Sequence, residues 1–329
     1  MDADNLKAPL AALNGERPDA PAWFRHALGH APSRTHCEVD GARIETLVWG
    51  ERGRPGLLFL HGNAAHADWW SFVAPFFARE FRVAAMSWSG MGGSQWRPTY
   101  SLDIFVAEAF AAAGAAGLFD GAARPIFVGH SFGGFPLLAC AARRGEELRA
   151  AIVVDTPLLP PERVKEQRER MVRSGMPSPG RVYPTLAAAL ARFRLLPSQP
   201  CENLFIVDFI ARTSLREADG GFAWRFDPLL WRHYRMSNPI RDLASARCPV
   251  AIVRGSRSRV MTEDSGAFAH AVAPAGSPLI EIPEAHHHVM LDQPLAFVSA
   301  LRGLLSGWPA ARPYGAAAPE RSIEAESLS

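Results

Sequence analysis

A chain of 329 residues, 48% of them apolar, is long enough for one enlarged α/β domain with a substantial core, and it shows no internal repeat. Its 35 Lys and Arg against 33 Asp and Glu leave a formal charge of +2 without a basic run, which excludes a surface built to track a phosphate backbone. The four cysteines, Cys37, Cys140, Cys201 and Cys248, lie far apart with no CxxC pair, so buried thiols in a reducing compartment are expected rather than a zinc site or disulfide framework.

Residues 1–10 carry Asp2 and Asp4 and lack the basic start and apolar core of a signal peptide. Residues 1–36, rich in Pro, Ala and His, read as an extension wrapping the surface, with a short helix near 22–28. Apolar runs of strand length then recur at 44–48, 56–60, 83–86, 126–128, 151–154, 250–253 and 279–282, separated by helical patterns. This alternation predicts a mostly parallel central sheet with helices on both faces, opened by an antiparallel pair from the first two runs. Between 154 and 250 there is helix-like pattern without strand signal, opened by Pro157, Pro160 and Pro161. Residues 158–238 are therefore expected to form a helical lid, too long for a plain loop, inserted into a core of 37–157 and 239–308. The Pro/Ala-rich, then polar, segment 309–329 is expected to be a disordered tail, and neither end is expected to carry chemistry. No apolar stretch approaches the roughly 20 residues of a membrane span, so a soluble cytoplasmic protein, monomer or homodimer, is the expectation.

The strongest chemical signal is an apolar strand running through Gly129-His130-Ser131-Phe132-Gly133-Gly134 into an Ala-rich helix. Such a G-x-S-x-G turn holds its serine in a strained conformation, with Gly129 and Gly133 leaving room for the chain to approach itself. The following helix aims unsatisfied N–H groups at a developing oxyanion. Upstream, Leu57-Leu58-Phe59-Leu60 runs into His61-Gly62-Asn63, where an oxyanion loop is expected, and His61 reads as a brace for that loop.

These segments, with Trp88-Ser89-Gly90-Met91-Gly92-Gly93-Ser94 and Ala285-His286-His287, resemble the α/β-hydrolase superfamily in the right order across roughly residues 38–306. The resemblance implies Ser131 as nucleophile, with the backbone N–H groups of Asn63 and Phe132 as oxyanion hole. It also selects a base among His286, His287 and His288. Relatives place an acidic residue and a proline five and seven positions after the histidine, and Asp292 and Pro294 fit His287. A metal site in the histidine triplet is disfavoured because adjacent side chains in an extended turn point apart.

The acid departs from the common pattern. Where relatives carry G-x-x-D, this chain reads Gly255-Ser256-Arg257-Ser258, and serine cannot stabilise an imidazolium by charge. Asp155, after the run at 151–154, is the leading alternative; Asp264 or Glu263 is the other. Ser87 stands where relatives carry an aspartate ahead of the glycine loop. Trp69, Trp70, Trp88, Trp224 and Trp231 are pocket candidates that core packing explains equally well.

The resemblance implies hydrolysis of a carboxylic ester, lactone, thioester or amide through an acyl-enzyme, a small-molecule substrate, and no metal or organic cofactor. Two alternatives stand beside it. One is a carbon–carbon bond hydrolase of ring-cleavage products, with Arg192, Arg194, Arg212 or Arg232 meeting a dicarboxylate. The other is a receptor-like member that binds its ligand with little turnover.

Overall fold

A computed structural model of the chain describes residues 8–160, 163, 181–235 and 238–307. The expected disordered tail, the first seven residues and much of the early insertion lie outside the described residues. One eight-stranded sheet organises the rest: β1 (Ser33–Val39), β2 (Ala42–Trp49), β3 (Gly56–Leu60), β4 (Arg82–Met86), β5 (Ile126–His130), β6 (Ala150–Val154), β7 (Val250–Gly255) and β8 (Leu279–Ile282). Their spatial order is β1-β2-β4-β3-β5-β6-β7-β8. The pairs β1/β2 and β2/β4 are antiparallel and all later pairs are parallel.

Strands β3, β5 and β6 are buried along their whole length, as strands sandwiched between two helical layers must be. Their period of two divides the core. Leu57, Phe59, Ile126, Val128, Ile152 and Val154 enter one cluster, while Leu58, Leu60, Phe127, Ala151 and Val153 enter the other. Helices α1 (Ala22–Gly29) and α6 (Pro294–Gly307) cover the first face. Helices α2 (Leu102–Ala115), α3 (Gly134–Arg144) and α5 (Glu263–Val272) cover the second, and α4 (Leu204–Thr213) packs from the insertion onto the first. Side-chain caps start several of them: Ser101 accepts from the Ile104 N–H at the head of α2, and Thr262 from that of Ser265 at the head of α5.

Three expectations are corrected here. The antiparallel opening is not made by the first two apolar runs, since β4 lies between β2 and β3. The first strand is instead β1, whose mostly exposed Ser33-Arg34-Thr35-His36 lacks any apolar run. β1 begins inside the segment read as an extension, and that segment is not confined to the surface: Leu10 and Phe24 are buried, Phe24 against Phe72, Phe205 and Phe209. Finally, the insertion contains strands. Leu215–Ala218 and Gly221–Trp224 form a hairpin, and Tyr234–Arg235 pairs with Tyr100–Ser101. The Asp219-Gly220 turn, with Gly220 at φ 83°, was the readable sign of the hairpin.

Among the described residues no helix is long and apolar enough to cross a membrane. All four cysteines are free; Cys140 and Cys248 are buried, whereas Cys37 and Cys201 are only partly so.

Candidate active site

The site assembles where β3, β5, β6 and β8 end. Ser131 follows β5 at φ 53°, a left-handed conformation that costs a non-glycine residue about 1–3 kcal/mol. The turn is as tight as its glycines imply. A Cβ on Gly129 would stand 2.6 Å from the Gly133 carbonyl oxygen, and one on Gly133 would stand 2.6 Å from that of His61. Gly62 backs directly onto the serine, where a Cβ would lie 3.2 Å from Ser131 Cβ. Asn63, next in the chain, and Phe132, next after the serine, thus flank Ser131 from two loops.

His287 reaches both neighbours expected of it. Its Nε2 lies 2.9 Å from Ser131 Oγ and its Nδ1 2.8 Å from Asp155 Oδ1. Because Nδ1 faces a carboxylate oxygen, it carries the ring proton, and Nε2 is left to accept from the serine hydroxyl. Asp155 is fully buried, at φ 46°, directly after β6. Its Oδ2 accepts from the Gly255 N–H at 2.9 Å, and its Oδ1 also accepts from the Ser258 hydroxyl at 2.5 Å. Ser258 Oγ itself accepts from the N–H groups of Val260 and Met261, both at 3.1 Å, so its single proton is committed to Asp155. The serine that replaces the usual acid therefore holds the carboxylate arriving from the neighbouring strand. Asp264 and Glu263 are exposed at the head of α5, away from the site.

The histidine turn is clamped from several sides. His286 donates its backbone N–H to Asp292 Oδ2 at 2.7 Å, Gln199 Nε2 donates to Asp292 Oδ1 at 2.9 Å, and the His288 N–H donates to Gln199 Oε1 at 2.8 Å. Asn203 adds bonds to the Leu291 and Asp292 carbonyls. His130 Nε2 bonds the His287 carbonyl at 3.0 Å. Gln199 and Asn203 come from the insertion, and no sequence pattern marked either; Ser258 was visible only as a missing acid.

His61 braces its loop as expected. Its Nε2 accepts from the Trp88 N–H at 3.1 Å, which leaves Nδ1 to donate to the Gly62 carbonyl at 2.7 Å, and burial pushes its pKa down to about 3. Glu45 compensates for the missing aspartate at position 87: it accepts from Ser87 Oγ at 2.7 Å and from the Gly93 N–H at 2.8 Å, and pairs with Arg34. Of the five candidate tryptophans, Trp70 and Trp88 are core, and only Trp231 lines the small cavity bounded by Asn63, Ala64, Met91, Leu196, Phe226, Asp227 and Leu230.

Among the described residues one set of donors suits a metal by type. His130, His287 and His288 are buried with ligand atoms within 4.8 Å of one another, and the rings of His287 and His288 sit 4.8 Å apart rather than diverging as the sequence suggested. Both nitrogens of His287 already bond Ser131 and Asp155, so an ion would have to break that chain to bind.

Sheet order, strained serine and hydrogen-bonded histidine together define a hydrolase-type α/β protein. The chain belongs to the alpha/beta hydrolase family, whose model matches residues 57–301. It is similar to esterase Rv0045c of Mycobacterium tuberculosis, 25% identical over 277 residues that cover 81% of this chain and 88% of that protein. A shorter likeness, 30% over 132 residues, covers 37% of the chain and 35% of epoxide hydrolase 4 of Mus musculus. Among solved structures, the thioesterase domain from the curacin biosynthetic pathway superposes with a TM-score of 0.67 at 23% identity, covering 83% of this chain and 99% of that one.

Proposed function

We propose that this chain is a serine hydrolase that cleaves a carboxylic ester, or a related thioester or lactone, through an acyl-enzyme on Ser131. The observation that carries the reading is the unbroken chain from Ser131 Oγ through His287 to Asp155, with spacings of 2.9 and 2.8 Å. His287 takes the serine proton as Oγ attacks the carbonyl carbon, and Asp155 stabilises the imidazolium. The N–H groups of Asn63 and Phe132 receive the oxyanion, each such donor being worth about 10²–10³ in rate. His287 then protonates the leaving alcohol or thiol, and water repeats the attack on the acyl group. The reaction uses no metal or organic cofactor.

The names of an esterase and a thioesterase among the similar proteins support the acyl class. Opening an epoxide through a covalent ester needs a carboxylate nucleophile, and position 131 is serine. For a dicarboxylate ring-cleavage product the expected cations are misplaced: Arg192, Arg194 and Arg232 are exposed, and Arg212 is paired with Asp208 at 2.7 Å.

The test is hydrolysis of short and medium p-nitrophenyl esters together with fluorophosphonate labelling. Turnover that vanishes in Ser131→Ala along with the label is the expected result. A wild type that neither hydrolyses nor labels overturns the reading in favour of a binding role.

A further inference from the structure

One side chain of the insertion touches both residues to which we assign the oxyanion. Trp231, on the short helix Leu230–His233, donates its indole N–H to Asn63 Oδ1 at 3.1 Å. Its ring meets that of Phe132 edge-on, with centroids 5.3 Å apart and planes at 83°. The loop bearing Asn63 is pinned firmly at both ends, while its middle is closed by one long backbone bond, from the Ala65 N–H to the Gly62 carbonyl at 3.4 Å. His61 is locked to Trp88 at one end, and the Ala67 N–H is tied to Ser87 Oγ at the other. Between them, Asn63 and Ala64 are only half-buried and Ala64 sits at φ 53°, so the peptide planes there are set by few contacts. The insertion, by contrast, is stitched to the core around Trp231. Asp227 donates its N–H to the Gly90 carbonyl at 2.7 Å and accepts from Tyr100 Oη at 2.7 Å, and Tyr234–Arg235 pairs with Tyr100–Ser101.

We propose that Trp231 is a positioning residue: by holding the Asn63 side chain it fixes the plane of the neighbouring peptide and keeps the oxyanion donor aimed. This rests on the serine-hydrolase reading. A donor contributes to rate only when aimed at the oxygen as charge develops, so a loosened donor costs turnover more than substrate binding.

Trp231→Phe keeps the ring against Phe132 and Tyr234 while deleting the N–H; Asn63→Ala deletes the acceptor while keeping the backbone N–H. Each is expected to lower kcat about tenfold with KM changed less than about twofold, and the double variant is expected to be no slower than either single. Hydrogen exchange over residues 61–66 should quicken in Trp231→Phe whatever the substrate. Losses that multiply in the double variant, a change confined to KM, or unchanged exchange would each overturn the positioning role while leaving Ser131 chemistry intact. A wild type without ester turnover or label overturns the hydrolase reading itself, and the positioning role falls with it.

Discussion

Two neighbouring turns of the sheet carry the same unusual backbone and differ in how they are built. Ser131 after β5 and Asp155 after β6 both adopt left-handed φ, 53° and 46°, and both place a side-chain oxygen against His287. The serine turn depends on glycines at 129 and 133 because the chain crosses itself there. The aspartate turn has no glycine of its own, though Thr156 beside it packs on Gly134: an aspartate tolerates left-handed backbone better than most residues, and its strain is offset by three donors on its carboxylate, from Gly255, Ser258 and His287. The same conformation is thus secured once by removing side chains and once by hydrogen-bonding the side chain that stays.

The contrast predicts unequal losses. Ser131→Ala removes the proposed nucleophile and should lower kcat for p-nitrophenyl esters by about 10⁴ or more. Asp155→Asn keeps the shape but cannot hold the imidazole's proton side, and a loss of about 10²–10⁴ is expected. Because Ser258 Oγ lies 2.5 Å from the Asp155 carboxylate, an acid placed there would stand near the same imidazole. Asp155→Asn with Ser258→Asp should therefore regain about tenfold or more over Asp155→Asn alone. A double variant no faster than the single would show that the β6 turn, not merely a carboxylate in that region, is required.

Much of the fold and site is legible in the sequence, and the reason is physical. A chain that must cross itself uses glycine, and an all-buried strand uses unbroken apolar residues, so the serine turn and the parallel strands announce themselves. The β1 strand does not, because it lies at the sheet edge with exposed Ser33 to His36 and is held by backbone pairing to β2. The acid was narrowed to alternatives but not decided, since which of Asp155 and Asp264 meets His287 depends on how β6 and β7 align, a long-range property. Gln199 and Asn203 leave no trace because the insertion places them through tertiary packing alone, and Trp231 is legible only as one pocket candidate among five.

A pH prediction separates the turns further. The serine turn buries the imidazole of His130, whose pKa burial pushes well below 6.5, as it does for His288 and for His61 at about 3. Unfolded, each histidine takes a proton near pH 6.5; folded, it refuses one, so stability is full above that value and is lost as pH falls below it. Between pH 7 and 5.5 each should cost about 1 kcal/mol, about 3–4 together. Glu108 and Asp292, raised by burial, act in the opposite sense, and Asp68, held down at about 2, matters only below its ordinary 3.8. Calorimetry of wild type and His130→Gln should show Tm falling over this range, less steeply in the variant; parallel curves would remove His130 from the account.

The smallest expected effect tests the hydrogen-bonded turn most directly. Ser258→Ala leaves Asp155, His287 and Ser131 in place but removes one donor from the carboxylate and strands the N–H groups of Val260 and Met261. Turnover should fall by about tenfold or less, the cost of one charge-assisted hydrogen bond near the site. A carboxylate relieved of one donor is less firmly aimed at His287 Nδ1, so the loss should fall on kcat with KM little changed. A loss confined to KM would mean that Ser258 supports the loop after β7 and not the carboxylate of Asp155.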